Sequence, residues 1–337
     1  MKHLLSKTEE EKLLKEYASL VDPNVDLNYF LENKTQHFLR YQPITLMRRN
    51  LLEPDVDVVS IQKDYSCTEK ADGERYLMFI CKQGFVFFMN SRLTLFATGI
   101  KHPFMKSCLI DGEYITQGKL NSKLDMFMCF DCYIVQGKDI RSTSLPSRLE
   151  SIQKILKDWT TNAPMIKQKE FFFGSENIIE DTKKCLDKLN ELPYHTDGLI
   201  FTPLNLSPGA LYKNDKTMRP FGGTWNRVFK WKPPEENTID VLVKFGEECI
   251  VENDMGVQQK AIYVDMFVAY RGSVDSSINV LDMYKDVYEN KNKTDTNKVI
   301  NRLYDFTYLP LDGNNKYPLT TFNKEMITTD VIVEMVY

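Results

Sequence analysis

The stretch CTEKADGERYLMFICKQGFVFFMN, residues 67–90, decides the fold of the chain around it. Two apolar and aromatic runs, RYLMFI and FVFFMN, flank a short turn that ends in Gly84, which is the pattern of a β-hairpin. The hairpin predicts that Lys70 lies at the end of a strand, in a polar group with Asp72, Gly73 and Arg75. Lys70 is therefore either a solvated surface charge or a nucleophile.

The composition is that of a globular chain. Its 337 residues are 42% hydrophobic and 12% aromatic, enough to bury a sizeable core and form two domains. Lys and Arg number 43 against 47 Asp and Glu, so the net charge of -4 excludes a broad basic field, and any nucleic-acid contact has to be local. Seven cysteines scattered through apolar segments predict reduced thiols and a cytoplasmic or other intracellular location. The N-terminus is too charged for a signal peptide, and no apolar run approaches the roughly 20 residues of a membrane span.

Periodicity predicts helices among many strands. The segment after Ser6 predicts a capped amphipathic helix with an acidic first turn. Residues 144–159 predict a second helix with Ser147 and Glu150 in its capping box, and residues 175–192 predict a third. Strand-like runs separate and follow these helices, so the expected fold class is α+β.

The double proline at 233–234 marks a change in composition and a candidate domain boundary. We expect an N-terminal helical and extended segment over residues 1–60 that packs on the core. A larger mixed domain would follow over 61–236, and a smaller β-rich domain over 237–337.

Short polar groups sit against the strand-like runs. They are Lys70, Asp72 and Arg75; Asp111 and Glu113; Asp131; Asp197; and Lys230 and Lys232. Strand ends that converge on a cleft explain this arrangement. Lys230 and Lys232 share one face of a strand because side chains alternate along it, and cations near Lys70 favour its neutral, nucleophilic amine. Such a cleft suits nucleotide phosphates, with the carboxylates on sugar hydroxyls or a divalent cation such as Mg²⁺.

Gly73 lies in a tight turn beside Lys70, where a positive φ and the lack of a Cβ are both expected to matter.

Cys129 and Cys132 have the spacing of metal ligands, but no second pair accompanies them. Residues three apart on a regular strand face opposite sides, so core thiols are expected rather than zinc.

Five motifs in order resemble the covalent nucleotidyltransferases, the family that contains mRNA capping enzymes and ATP-dependent DNA and RNA ligases. The motifs are EKADGER, IDGEYI, MCFDCYIV, TDGLIFTP and VFKWKPP, from Glu69 to Pro234. The forms DGLIFTP and KWKPP are closer to RNA guanylyltransferases than to ligases. RYQPITLMRRNL before the lysine motif and the ending DVIVEMVY are most similar to the capping enzymes of large DNA viruses.

The resemblance implies a nucleotidyltransferase domain with largely antiparallel sheets around a nucleotide cleft, followed by a smaller OB-fold-like domain. It implies that Lys70 attacks the α-phosphate of GTP with the help of Mg²⁺ or Mn²⁺, and that the GMP of the resulting lysyl-GMP passes to the 5′-diphosphate end of RNA.

The same resemblance assigns the remaining site residues. Asp197 would bind the metal, and the nucleotide-binding residues would be Arg75, Arg92, Glu113, Phe130, Lys230 and Lys232. Arg75 and Glu113 would contact the ribose, and Arg92 would lie by the ribose and α-phosphate. Phe130 would stack on guanine, and the two lysines would hold the α-phosphate.

One family motif is missing. We find no Arg-x-Asp-Lys sequence, which relatives carry in the C-terminal OB-fold. Three explanations are open: the chain is a segment of a longer polypeptide, which we favour; a partner supplies the motif; or formation of lysyl-GMP is impaired.

The alternatives to a guanylyltransferase are an ATP-dependent DNA or RNA ligase and a catalytically silent nucleotide- or RNA-binding module of a larger capping assembly. Triphosphatase and methyltransferase domains or chains are expected partners, and a viral factory or virion is a possible location inside the cell.

Overall fold

The structure is a computed structural model, and it describes eight stretches of the chain. They are residues 5–52, 59–159, 164–215, 219–233, 238–252, 258–270, 300–311 and 327–336. The chain divides into two compact units, residues 1–233 and residues 234–337. No helix among the described residues is long and apolar enough to cross a membrane.

The first unit contains helices and two sheets. Its described helices are α1 Lys7–Val21, α2 Leu27–Glu32, α3 Leu145–Leu156 and α4 Ile178–Leu189, with short 3-10 helices at Lys34–His37, Arg48–Leu51 and Lys119–Asn121. Its described strands are β1 Arg40–Thr45, β2 Tyr65–Ala71, β3 Glu74–Ile80, β4 Phe85–Met89, β5 Leu95–Lys101, β6 Cys108–Gln117, β7 Lys123–Val135, β8 Lys138–Asp139, β9 Met165–Gln168, β10 Thr196–Pro203 and β11 Gly222–Trp231. The expected α+β class is confirmed.

Helix α1 begins as its sequence predicts. Ser6 and Glu9 form the reciprocal capping box, in which the Ser6 hydroxyl accepts from the backbone of Glu9 and the Glu9 carboxylate accepts from the backbone of Ser6. Leu14 and Tyr17 are fully buried in a core cluster shared with the sheets. This helix is therefore part of the core and not a detached arm.

Helix α3 begins earlier than predicted. Its N-cap is Ser144 and Pro146 stands in the first turn, so the expected capping box of Ser147 and Glu150 is wrong. Proline is favoured in the first turn because its missing N–H has no intrahelical partner there. The predicted apolar face is confirmed, and its buried members include Leu149, Ile152 and Ile155.

Two sheets frame the site. The first has the strand order β1-β11-β10-β2, with β1 parallel to β11 and the other pairs antiparallel. The second has the order β5-β4-β3-β6-β7-β8, and β9 pairs with β7. The predicted hairpin is β3–β4, with Gly84 at φ +86° in the turn. Because β2 belongs to one sheet and β3 to the other, residues 72–73 connect the two sheets directly beside Lys70.

Gly73 is required for space and not for its backbone angle. Its φ is not positive, so that part of the prediction is wrong. A Cβ at this position would lie 2.7 Å from the carbonyl oxygen of Tyr114 and 2.9 Å from Cγ of Glu113. Any larger residue would therefore push the turn away from β6.

A β-bulge in β7 overturns the expected orientation of two cysteines. Asp111 pairs with Asp131 but Gly112 pairs with Cys129, so Phe130 is the extra residue. The bulge puts Cys129 and Cys132 on the same face, where both are buried in one apolar cluster with Cys108. They are core thiols, as predicted, although their placement on opposite faces is wrong because the strand is not regular.

The second unit is β-rich. Its described strands are β12 Thr238–Glu252, β13 Gln258–Tyr270, β14 Ile300–Pro310 and β15 Val331–Val336, all antiparallel in the order β14-β13-β12-β15. A small apolar cluster that includes Val241, Val264 and Met266 covers one face. The described strands do not close into a barrel, so the OB-fold expectation stays a prediction.

Candidate active site

A cavity of about 230 Å³ lies between the two sheets of the first unit. Both sheets line it, together with the segment that follows β9. The lining residues from the first sheet include Tyr41, Thr68, Lys70, Ile200, Thr202 and Trp225, and those from the second include Arg75, Glu113, Phe130, Asp131 and Tyr133. Of the polar residues that the sequence analysis grouped at strand ends, four line this cavity, namely Lys70, Arg75, Glu113 and Asp131.

Lys70 lies at the end of β2 and is paired with an acid. Its Nζ donates to both carboxylate oxygens of Asp197 at 2.7 Å. Lys232 Nζ approaches the same carboxylate at 3.0 Å. The side chains are partly buried, with exposed fractions of 26% for Lys70 and 19% for Asp197. Two cations and one carboxylate therefore share the end of the cavity where an anionic group would meet Lys70.

Burial alone would raise the pKa of Asp197, but hydrogen bonds and charge from Lys70 and Lys232 outweigh it. The net pKa of this carboxyl is below its usual value. The carboxylate is therefore ionised across the neutral range and holds both ammonium groups in place.

Gly198 sets the position of Asp197. The pairing of β10 with β2 shifts register between Thr196 and Leu199, and Gly198 there has φ +141°. A Cβ on Gly198 would lie 1.9 Å from the carbonyl oxygen of Trp231. Only glycine fits this irregularity, and the irregularity turns Asp197 toward Lys70.

Lys230 lies on the cavity side of the first sheet. Thr68 pairs with Ile200, and Ile200 pairs with Lys230, so these three residues form a row across β2, β10 and β11. Side chains in one row point to the same face, and Thr68 and Ile200 both line the cavity. Lys230 and Lys232 thus follow the predicted period of two.

Arg75 is held rigidly by a buried acid. Its Nε donates to Asp111 at 3.0 Å and its Nη2 at 2.5 Å, while its Nη1 donates to the carbonyl of Tyr41 at 2.9 Å. Tyr133 also donates to Asp111, which is fully buried. Burial alone raises the pKa of Asp111, and the guanidinium opposes that effect. Bidentate pairing fixes the plane of the guanidinium at the cavity wall.

Glu113 is paired across the strands with Arg75 and faces the same cavity. Burial raises its pKa to about 6, although Lys169, Arg75 and Lys70 oppose the shift. Among the described residues Glu113 has no hydrogen-bond or ion-pair partner, so its oxygens are available to a ligand's hydroxyl groups.

Phe130 forms the aromatic wall of the cavity because the bulge in β7 turns it inward. Two cations lie over the ring, with the Arg75 guanidinium carbon 5.4 Å and Lys169 Nζ 5.5 Å from its centroid. Aromatic rings in such sites also serve as stacking platforms for nucleobases.

Lys169 is a site residue that sequence reasoning missed. It is 5% exposed, donates to the carbonyl of Glu69 at 3.2 Å, and lies 3.7 Å from the Glu69 carboxylate. Glu69 also accepts from Tyr194 at 3.0 Å. The segment KQKEFFF around Lys169 has no motif, and its only signal is a lysine directly after a strand and before an aromatic run.

Arg92 is placed elsewhere. It is exposed in the turn after β4 and lines a separate cleft that shares Arg75 with the cavity. Arg92 does not line the cavity that contains Lys70, and its expected place by the ribose and α-phosphate stays a prediction.

The carboxylates suit a divalent ion that arrives with phosphates. No group of three or more His, Cys, Asp or Glu side chains that could hold a metal occurs in the described part of the chain. Mg²⁺ in nucleotide sites is commonly held by one or two carboxylates together with substrate phosphates. Asp197, which is paired with Lys70, and Glu113, which lines the cavity, are carboxylates of the kind that could do this.

Two of the curated relatives that match this chain are named as mRNA-capping enzymes. A protein of Acanthamoeba polyphaga mimivirus named "Probable mRNA-capping enzyme" is 24% identical, over 94% of this chain and 32% of its own length. The "mRNA-capping enzyme subunit alpha" of Saccharomyces cerevisiae is 27% identical, over 61% of this chain and 48% of its own length. Among solved structures, the ligase domain of M. tuberculosis LigD matches with a TM-score of 0.39 and 14% identity over 70% of each chain.

The chain spans about a third to a half of the length of these curated relatives. The family model described as "mRNA capping enzyme, catalytic domain" matches residues 10–234, which contain all the cavity residues. The match covers about two-thirds of the chain and includes the five motifs. The chain therefore belongs to the mRNA capping enzyme catalytic-domain family, as the motifs predicted.

Proposed function

We propose that this chain is an RNA guanylyltransferase that carries GMP on Lys70. The observation that supports this most directly is the position of Lys70 at a cavity of about 230 Å³, beside Asp197 and Lys232. A lysine beside an ionised acid and a second cation is consistent with attack on a phosphorus atom.

In the first step, Nζ of Lys70 loses one proton to solvent and donates its lone pair to the α-phosphorus of GTP, and the nitrogen loses a second proton to solvent once it is bound to phosphorus. A P–N bond forms, the bond to the bridging oxygen breaks, and pyrophosphate leaves with the electron pair. Lys230 and Lys232 stabilise the charge that builds up on the α-phosphate oxygens. Asp197 and Glu113 would hold a divalent ion such as Mg²⁺ or Mn²⁺ that arrives with the phosphates, and that ion would neutralise phosphate charge.

In the second step, a terminal oxygen of the RNA 5′-diphosphate forms a P–O bond to the same phosphorus. The P–N bond breaks, and Lys70 recovers its electron pair and takes up two protons from solvent to become an ammonium again. Asp197 then accepts hydrogen bonds from the regenerated ammonium, as it does in the free protein.

The base preference follows from Lys169 and Phe130. The base would stack on Phe130, with the buried ammonium of Lys169 near its edge. Lysine can only donate hydrogen bonds, so it suits the O6 acceptor of guanine and not the amino group of adenine. The ribose would lie by Glu113 and Arg75, and the Glu113 carboxyl would accept from a hydroxyl.

The proposal includes a wider assembly. The yeast relative is named a subunit, and the chain matches only part of each relative. We infer that other domains or chains, a triphosphatase and a methyltransferase among them, supply the remaining capping reactions. The reduced thiols favour an intracellular site of action.

The test is to incubate the protein with α-labelled GTP or ATP and Mg²⁺ or Mn²⁺, then denature it and look for label. We expect label from GTP that is lost in Lys70→Ala and kept in Lys63→Ala, an exposed lysine just before β2. Label from ATP alone would make the chain a ligase. Tight GTP binding with no label under either metal would make it a silent module.

A further inference from the structure

A second concavity of about 520 Å³ adjoins the nucleotide cavity. Its walls come from β1, the start of β3 and the turn after β4, and we call it the Arg40 cleft. The residues that matter here are Arg40, Gln42, Glu74, Asn90 and Arg92, together with Arg75. Arg75 lines both spaces, so the cleft and the cavity are neighbours at this residue.

Two guanidinium groups in the cleft have no protein partner. Arg40 is partly buried and Arg92 is exposed, and within the described residues neither side chain makes a hydrogen bond or an ion pair. Arg75, by contrast, is neutralised by Asp111. The single acid of the cleft is Glu74, which is exposed and accepts from Tyr76 at 3.1 Å. Free positive charge therefore exceeds negative charge in this space.

The wall that carries Arg92 is pre-formed. The Asn90 side-chain oxygen accepts from the backbone of Arg92 at 3.1 Å and of Thr94 at 3.0 Å. Leu93 is buried with φ +58°, and its N–H donates to the carbonyl of Asn90 at 2.9 Å. The turn is fixed by these contacts, so little backbone ordering is needed when Arg92 meets a ligand.

We propose that the Arg40 cleft binds the 5′-terminal phosphates of the acceptor RNA, and this rests on the proposed function. An acceptor diphosphate has to reach the phosphorus on Lys70, and the cleft borders the nucleotide cavity at Arg75. Guanidinium groups bind phosphate in a bidentate fashion, and the amides of Gln42 and Asn90 suit the sugar and phosphate groups of a chain. Lys70 and its cationic neighbours, which would face the phosphates of GTP, do not line the cleft.

The two half-reactions separate this idea from the proposed function. Lysyl-GMP protein is isolated and mixed with a 5′-diphosphate RNA oligonucleotide, and KM for RNA is measured for Arg40→Gln. We expect KM to rise about ten-fold, since charge-assisted hydrogen bonds to phosphate are lost. Glu74→Gln removes the opposing charge and is expected to lower KM. Arg49→Gln, an exposed arginine outside both spaces, is the control.

Each contrary result has its own meaning. If Arg40→Gln raises KM for GTP in lysyl-GMP formation and leaves the RNA step unchanged, the cleft serves the polyphosphate of GTP and the proposal is overturned. An unchanged KM in both steps also overturns it.

If the wild-type protein forms no lysyl-GMP, the proposed function fails, and RNA binding at the cleft is then tested by fluorescence anisotropy of labelled RNA. In that experiment the proposal is supported if the wild-type protein binds RNA with a 5′-diphosphate end more tightly than RNA with a 5′-hydroxyl end, and if Arg40→Gln removes this preference. The proposal is overturned if the wild-type protein shows no such preference.

Discussion

Lys70 Nζ lies 2.7 Å from each carboxylate oxygen of Asp197, and Lys232 Nζ lies 3.0 Å from Oδ2 of the same carboxylate. The resting state of the proposed nucleophile is therefore an ion pair. A substrate phosphate that enters this group competes with Asp197 for both lysines, so phosphate binding and release of Lys70 from its acid are coupled.

Gly198→Ala is expected to disrupt this pair without touching either partner. The new Cβ would meet the Trp231 carbonyl at 1.9 Å and sit at φ +141°, so β10 must move away from β11. We expect at least a ten-fold loss of lysyl-GMP formation. Gly137→Ala is the matched control, because Gly137 has φ +78° with open space around its Cβ position and would show only the strain of about 1–2 kcal/mol. Equal activity of the two variants would contradict the assigned role of Gly198.

Inosine triphosphate and Lys169→Met test how the base is read. Inosine keeps O6 and lacks the 2-amino group, so a wild-type protein that reads O6 through Lys169 forms an adduct with it. In Lys169→Met this donor is gone, and the preference for GTP over ATP in adduct formation is expected to fall about ten-fold or more. The control is Lys167→Met, a change at an exposed lysine of β9. Unchanged discrimination in Lys169→Met would place base reading elsewhere.

Glu113 makes stability depend on pH between about 4.5 and 6. Burial raises its folded-state pKa to about 6 from an ordinary value of 4.5, so ionising it above pH 6 destabilises the fold. The free energy of unfolding should therefore fall by about 2 kcal/mol from this group as pH rises through that window. Urea unfolding of wild type and Glu113→Gln at pH 4.5 and pH 7.5 checks it. The stability of Glu113→Gln relative to wild type should be greater at pH 7.5 than at pH 4.5. If the free energies of unfolding of the two proteins depend on pH in the same way, the pKa of Glu113 is not raised by burial.

Arg148→Met should destabilise the bulge that presents Phe130. Arg148 is fully buried and binds Asp131 through two bonds, at 2.7 and 3.1 Å. Leaving that carboxylate unpaired is expected to cost about 3–5 kcal/mol. Lys154→Met breaks an exposed pair with Glu150 and should change the free energy of unfolding by less than about 1 kcal/mol. Similar urea midpoints for the two variants would show that the buried pair contributes little.

The sequence predicted local structure better than it predicted irregular structure. The capping box at Ser6 and the hairpin at Gly84 depend on residues close together in the chain, and both are confirmed. The direction of Phe130 depends on a bulge that arises from pairing with β6, which no local pattern reports. The start of α3 was misjudged because Ser147 and Glu150 match a capping box while the chain is already helical at Leu145.

The candidate site shows the same division. Lys70, Asp197 and Lys232 lie in motifs, and the fold brings them together. Lys169 carries no motif, and its role depends on the parallel pairing of β9 with β7, so it could not be found from spacing. Arg92 was assigned by resemblance, and its place in a separate cleft follows from the path of the turn after β4.

The parallel pairing of β1 with β11 has a consequence for synthesis of the chain. Arg40 of β1 pairs with Gly222 of β11, and β10 joins β11 to the strand that carries Lys70. The nucleophile leaves the ribosome early, but its sheet cannot be completed until about 160 further residues have followed. Contacts this distant in sequence form late. A nascent or truncated chain that ends before β11 thus displays Lys70 without Lys230 and Lys232, and we expect it to bind no nucleotide until β11 is in place.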